Sequence, residues 1–190
     1  MSDRDAFGER GRSLEEDYFR KRDRELIEKL RQAAATDQLR TDLGRKAGID
    51  DPELLQELQD LGFTPETVGL VLLMPVIQMA WAEGGITQPE RRLLVDLARS
   101  RGIEDGSAGD RQLMGWMTNR PADQVFARAG RLIRAMLDSG RTDDLNADDL
   151  VKYCEDVASA SGGILGIGRI SAEERALLSS IAADLKARRS

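Results

Sequence analysis

The chain has no histidine at all and a single cysteine, Cys154, among 190 residues. Those two absences remove most of the usual catalytic apparatus. Without imidazole there is no Ser-His or Cys-His pairing to activate a nucleophile. Zinc sites lack their common ligands. No intrachain disulfide can form, which fits the cell interior. Aromatic residues make up only 4%, so each one that is present is informative. Long hydrophobic runs are also missing: the most apolar stretch, Val68 to Ala82, is interrupted by Pro75 and Gln78 and falls short of the roughly 20 residues a bilayer span needs. The opening residues Met1-Ser2-Asp3-Arg4-Asp5 do not resemble a signal or transit peptide. The expectation is a cytoplasmic protein with no membrane insertion.

What is present is charge and helix punctuation. Hydrophobic residues reach 41%, enough for one core and an appended arm. The net charge of −6 is unevenly distributed, because residues 1–50 carry twelve basic and twelve acidic side chains and residues 51–190 carry the whole excess. An acidic body with no basic stripe argues against nucleic acid as a partner.

Strand signals are nearly absent, and helix starts and stops recur. Ser13-Leu14-Glu15-Glu16 fits a capping box, which predicts a helix starting at Leu14. A second helix is expected around Asp37–Lys46. Asp51-Pro52 opens another that ends at Gly62, and Thr64-Pro65-Glu66 opens a buried, central helix reaching Trp81 or Ala82, kinked at Pro75. Thr87-Gln88-Pro89-Glu90, Ser107, Pro121, Asn146 and Ser171 start the remaining helices, with stops at Gly102, Gly140 and Gly162-Gly163. Short connections between helices predict an all-α bundle.

An internal repeat organises the body. The segment Ile86–Ala98 (ITQPERRLLVDLA) recurs 84 residues later as Ile170–Ala182 (ISAEERALLSSIA). Both copies have a hydroxyl N-cap, Glu at the third helical position and a Leu-Leu pair read as core. Two copies point to a pseudo-symmetric bundle.

Together with Leu72–Gly84 (LLMPVIQMAWAEG), the Arg120-Pro121 junction and the Ala160-Ser161-Gly162-Gly163 loop, this repeat resembles the tellurite-resistance TerB family over residues 64–190. The resemblance implies an all-helical binding module found in stress-response proteins. The fold expected is therefore an all-α, compact, pseudo-symmetric TerB-like bundle with an extended N-terminal helical arm. Its divisions would be an arm at 1–35, a helical connector at 36–63 and the TerB-like domain at 64–190.

The arm carries a second resemblance. In AFGERGRSLEEDYFRKRDRELIEKLRQ, residues 6–32, the positions Ala6-Phe7-Gly8, Arg10, Glu15-Glu16, Tyr18-Phe19-Arg20, Arg24-Glu25 and Leu30 match residue types of the mitochondrial ATP synthase inhibitor protein, without a gap. Gly11 departs from that pattern, and the lack of histidine removes an imidazole-based pH switch. The resemblance implies a helix that blocks a rotary F-type ATPase at its catalytic head. The candidate partner-binding residues are Phe7, Arg10, Glu15, Tyr18, Phe19, Arg20 and Arg24. The residues alone fit this picture: Asp17 with Lys21 and Glu25 with Lys29 are acid-before-base pairs worth roughly 0.2–0.5 kcal/mol each. Tyr18, Phe19, Leu26, Ile27 and Leu30 make a stripe wide enough for one groove. The same stripe would equally suit packing on the protein's own body or pairing in a homo-oligomer.

The acidic turns are the other candidate. Glu83 and Glu90, with Glu174 of the second copy, form an acidic cluster suited to a divalent cation or a basic partner. An EF-hand is rejected, because only one of the oxygen ligands needed at the first three alternate loop positions is present. No metal and no cofactor are assigned. Asp143, Asp144, Asp148 and Asp149 form a second acidic patch, explained by a helix N-terminus. Ser161–Gly168 is glycine-rich but lacks the lysine of a phosphate-binding loop. The leading expectation is a non-enzymatic regulatory protein acting through its arm. The alternative is a stress-response module binding ions or a basic partner through its acidic turns.

Overall fold

Most of the turns that stop and start these helices are encoded in pairs of neighbouring residues. Asp51 has extended backbone and its carboxylate accepts the N–H groups of Glu53 and Leu54, while Pro52 occupies the first turn, where its missing N–H costs nothing. At the other end of that helix Gly62 takes φ +80°, which lets the Phe63 N–H reach back to the Leu58 carbonyl at 3.0 Å. The computed structural model of the chain describes residues 3–140, 146–160 and 170–186, with side chains from residue 21 onward.

All regular structure among those residues is helical. In order, the elements are α1 (Asp3–Ala47), α2 (Pro52–Asp60), a 3₁₀ segment (Val68–Leu73), α3 (Met74–Ala80), α4 (Gln88–Ser100), α5 (Ala108–Thr118), α6 (Asp123–Asp138), α7 (Ala147–Ala160) and α8 (Ala172–Lys186). The all-α expectation holds. The chain divides into two units, Met1–Thr41 and Asp42–Ser190.

The described residues of the first unit form one helix. Two sequence expectations fail here: α1 begins at Asp3 instead of Leu14, and the separate helix around Asp37–Lys46 is its continuation. Gly8, Gly11 and Ser13 cost only about 1 kcal/mol or less each in a helix interior, which the run of helix formers after them outweighs. Local bonds decorate the exposed surface, such as Thr36 Oγ1 to the Gln32 carbonyl at 2.9 Å and Gln32 Nε2 to Glu28 Oε1 at 3.1 Å.

The second unit holds the core. Its first element is the last turn of α1, where Leu43 and Ala47 are buried. Gly44 meets the next segment so closely that a Cβ there would lie 2.8 Å from the Ile49 carbonyl oxygen. At the centre, α3 packs against α4, α6, α7 and α8. The central, buried helix read from the sequence is therefore present but shorter than expected. Residues before Pro75 wind as 3₁₀ because proline cannot donate to the Val71 carbonyl; the Met74 N–H bonds to it instead, and Pro75 falls in the first turn of α3.

The two repeat copies form α4 and α8, and both pack on α3 and α7. Each closes its N-terminus with a reciprocal capping box. Glu90 Oε2 accepts the Thr87 N–H at 2.6 Å, and Glu174 Oε2 accepts the Ser171 N–H at 2.7 Å. The shared Leu-Leu pair is not uniformly core. Leu94 is buried and its neighbour Leu93 is exposed, while Leu177 and Leu178 are both half-buried. Adjacent helical residues point about 100° apart, so one wall cannot cover both.

Polar clamps tie the periphery together. Glu57 of α2 accepts Arg128 Nε at 2.9 Å and Arg131 Nη2 at 2.5 Å from α6. Trp81 Nε1 donates to the Trp116 carbonyl at 2.9 Å and Arg91 Nη2 to the Met117 carbonyl at 3.0 Å, which satisfies the end of α5. Arg99 bridges to the buried Asp110 at 2.6 Å and to the Ile103 carbonyl at 2.8 Å. That contact, with the Gly106 N–H, holds the Asp110 carboxyl below the ordinary carboxylate range.

Candidate partner-binding surfaces

Helix α1 places the described part of the apolar stripe, Leu26, Ile27 and Leu30, in solvent. Every residue from 21 to 39 is exposed, including Leu26 at 56%, Ile27 at 47% and Leu30 at 62% of their free surface. Three large aliphatic side chains within five residues make a contiguous apolar face, which on a helix marks an interaction surface. Of the arm residues singled out by sequence, Arg24 is exposed on this segment. The backbone at Phe7, Arg10, Glu15, Tyr18, Phe19 and Arg20 is helical, and their side chains lie outside the described residues. Leu26, Ile27 and Leu30 were legible as a stripe, yet they belong with the candidate binding residues because they are the exposed ones.

The acidic turns form a different kind of site. Glu90 and Glu174 are 2% and 1% exposed, and each carboxylate is committed to its own helix N-terminus. Thr87 Oγ1 donates a second bond to Glu90 Oε2 at 2.7 Å. Burial pushes the Glu90 carboxyl above its ordinary range, against the Thr87 hydrogen bonds, and the charges of Glu174 and Glu83 push it in the same direction. Glu174 and Glu83 thus lie near enough to Glu90 for their charges to act on it. Among the described residues, no group of three or more His, Cys, Asp or Glu side chains is placed to hold a metal ion. Asp148 and Asp149 sit in the first turn of α7, where Asp149 Oδ2 accepts the Asn146 N–H at 3.1 Å. Asp143, Asp144 and the Ser161–Gly168 loop lie outside the described residues.

The described part of the body carries concave surfaces. A cleft of about 330 Å³ lies between α3, α6 and α8, with Pro75, Phe126, Gly130, Arg134, Ile181 and Leu185 among its lining residues. Arg134 Nη1 donates to the Asp184 carbonyl at 3.2 Å across its edge. The second, about 280 Å³, runs between α4 and α7 over Leu93, Leu97, Tyr153 and Val157, with Asp96 and Asp156 on its two walls. Sequence reasoning missed this groove.

Cys154 is fully buried, and burial pushes its thiol up to about 12, so it is not a nucleophile at neutral pH. No described helix is long and apolar enough to cross a membrane. Comparison with protein-family models, curated proteins and solved structures finds no match for the chain.

Proposed function

We propose that the protein is a non-catalytic, cytoplasmic regulator whose N-terminal helix binds a groove on another protein, and that the target is the catalytic head of an F-type ATPase. The body would serve as a pseudo-symmetric, TerB-like docking or sensing module. The observation that carries this reading is the exposed apolar face of α1 at Leu26, Ile27 and Leu30. It is contiguous in sequence with the inhibitor-like Tyr18-Phe19-Arg20 triplet. An amphipathic helix laid into a groove uses this geometry, with anchors at helical spacing and charged flanks.

The alternative, a stress-response module binding ions or a basic partner through Glu83, Glu90 and Glu174, has less support. Glu90 and Glu174 spend their carboxylates on their own helix N-termini, which leaves little capacity for a cation. Calcium titration by calorimetry separates the two: micromolar affinity abolished by Glu90→Ala would favour the acidic turns.

The direct test is a Tyr18→Ala, Phe19→Ala double variant assayed for inhibition of ATP hydrolysis by membranes of the source organism, alongside thermal unfolding. Aromatic anchors in a groove commonly contribute ~2 kcal/mol or more, so inhibition should weaken roughly thirty-fold at unchanged stability. A wild-type protein that never inhibits refutes the target. A double variant that melts many degrees lower makes the arm a structural element.

A further inference from the structure

At about 100° per residue, the described part of α1 sorts its charges around the stripe. Arg22 and Lys29 flank Leu26 and Leu30 on one side, and Arg31 and Arg24 flank Ile27 on the other. Glu25 and Glu28 fall on the opposite face. Between residues 22 and 31 this face of α1 is therefore an apolar ridge with basic margins, and Asp23 is the one acid within that stretch.

The groove between α4 and α7 has the reverse character. Its floor is Leu93, Leu97 and Val157, and each wall contributes one acid, Asp96 from α4 and Asp156 from α7. Both acids are exposed. Lys152 Nζ lies 3.9 Å from Asp156 Oδ2, a separation at which an exposed pair contributes little and at which Lys152 can meet Asp23 of an incoming helix. The Arg101 guanidinium lies 5.9 Å from the centre of the ring of Tyr153, a lining residue. The cavity of about 280 Å³ is on the scale of two aliphatic side chains. The charge budget of the whole chain points the same way, since the net −6 resides entirely in residues 51–190.

We propose that the α4–α7 groove receives α1 of a second copy of this chain, with Leu26 and Leu30 on the groove floor and Lys29 and Arg31, one from each margin, against Asp96 and Asp156. Self-association of this kind covers the apolar ridge when no other partner is present. It competes with the target for the same face of α1, so the groove acts as a reservoir for the arm. It does not depend on which protein the arm otherwise binds.

The test is sedimentation velocity of the full chain over a wide concentration range at low and high salt. Wild type should associate, and more weakly at high salt. Asp96→Lys with Asp156→Lys should weaken association by about ten-fold or more, since like charges then face each other. Adding Lys29→Glu and Arg31→Glu to that variant should restore it. All four positions are exposed, so the fold is retained, and circular dichroism melting checks this. A monomer at every concentration overturns the proposal. So does association that is lost in a Leu26→Asp, Leu30→Asp variant yet unmoved by the groove reversal, because arm-to-arm pairing would then be the contact. The groove variants leave the arm intact, and so their capture of an ATPase tests the functional reading separately.

Discussion

Helices α1 and α3 differ in length and burial in opposite senses. The first runs for 45 residues, and none of its residues from 21 to 39 is buried; the second has seven residues, six of them buried. A short helix is not stable by its own backbone bonds, because nucleation costs more than one or two turns return. Helix α3 exists because α4, α6, α7 and α8 enclose it. Over residues 21–39, α1 relies on the opposite resource, a long run of helix formers and local polar bonds such as Thr41 Oγ1 to the Asp37 carbonyl at 2.9 Å. Burial marks what holds the protein together, and exposed apolar surface marks what it can offer a partner.

The largest expected effect comes from the enclosed helix. Ile77→Ala removes a fully buried side chain and should cost about 2–5 kcal/mol, a fall of roughly 4–20 °C in melting temperature for a chain of this size. Thermal unfolding followed by circular dichroism reads it. A loss no greater than that of an exposed residue would break the contrast between the two helices.

Next is Gly44→Ala, at the point where α1 enters the core. Its Cβ would meet the Ile49 carbonyl oxygen at 2.8 Å, and backbone there must shift, for a cost of about 1–3 kcal/mol. Urea unfolding measures it. Because alanine is otherwise the better helix former, a stabilised variant would show that the junction is loosely packed.

A smaller effect, of opposite sign, is expected at Glu90. Its folded-state pKa is raised above the ordinary 4.5, so the unfolded chain releases the proton first as pH climbs, and stability falls between that value and the folded one. Glu90→Gln keeps an oxygen to accept the Thr87 N–H while removing the repulsion from Glu174 and Glu83. The variant should be slightly more stable than wild type at pH 7, with the difference vanishing below about pH 4.5, where both states are protonated. Paired urea titrations at pH 7 and pH 4 decide it. A variant less stable at pH 7 would mean that the charge on the capping bond outweighs burial.

The smallest stability effect belongs to the arm. Leu26→Ala with Leu30→Ala should change the unfolding free energy by no more than about 0.5 kcal/mol, although both are large and apolar. A drop of several degrees in melting temperature would place the stripe in the core and erase the comparison.

Local chemistry made much of this legible in advance. Asp51, Thr87, Ser107, Asn146 and Ser171 cap the helices they were expected to cap, and Gly62, Gly102 and Gly140 take positive φ at the expected stops. These devices act over three or four residues, so they are visible in a string. The errors lie where neighbours decide. The capping box at Ser13 and Glu16 has the right residues, yet the helix continues through it, because a cap needs a non-helical residue before it and nothing there stops the chain. Pro75 was expected to kink a helix and instead starts one. Leu93 was read as core with Leu94, and it is exposed because the wall that covers α4 reaches only one of the two.

The candidate site divides in the same way. The stripe on α1 could be read from helical periodicity, and its exposure could not, since the sequence gives no sign of which apolar faces find a neighbour. The burial of Glu90 and Glu174, and the push of the Glu174 charge on the Glu90 carboxyl, required α4 and α8 to pack on the same pair of helices. The groove between α4 and α7 had no sequence signature at all, because its two walls are about sixty residues apart and meet only by packing. By itself the sequence determined the helical class, the caps and the uneven charge, all of which arise from residues within a turn or two of one another. Tertiary structure alone decided which leucines are core, which acids are buried and where a groove opens, because burial depends on the surface that distant residues bring.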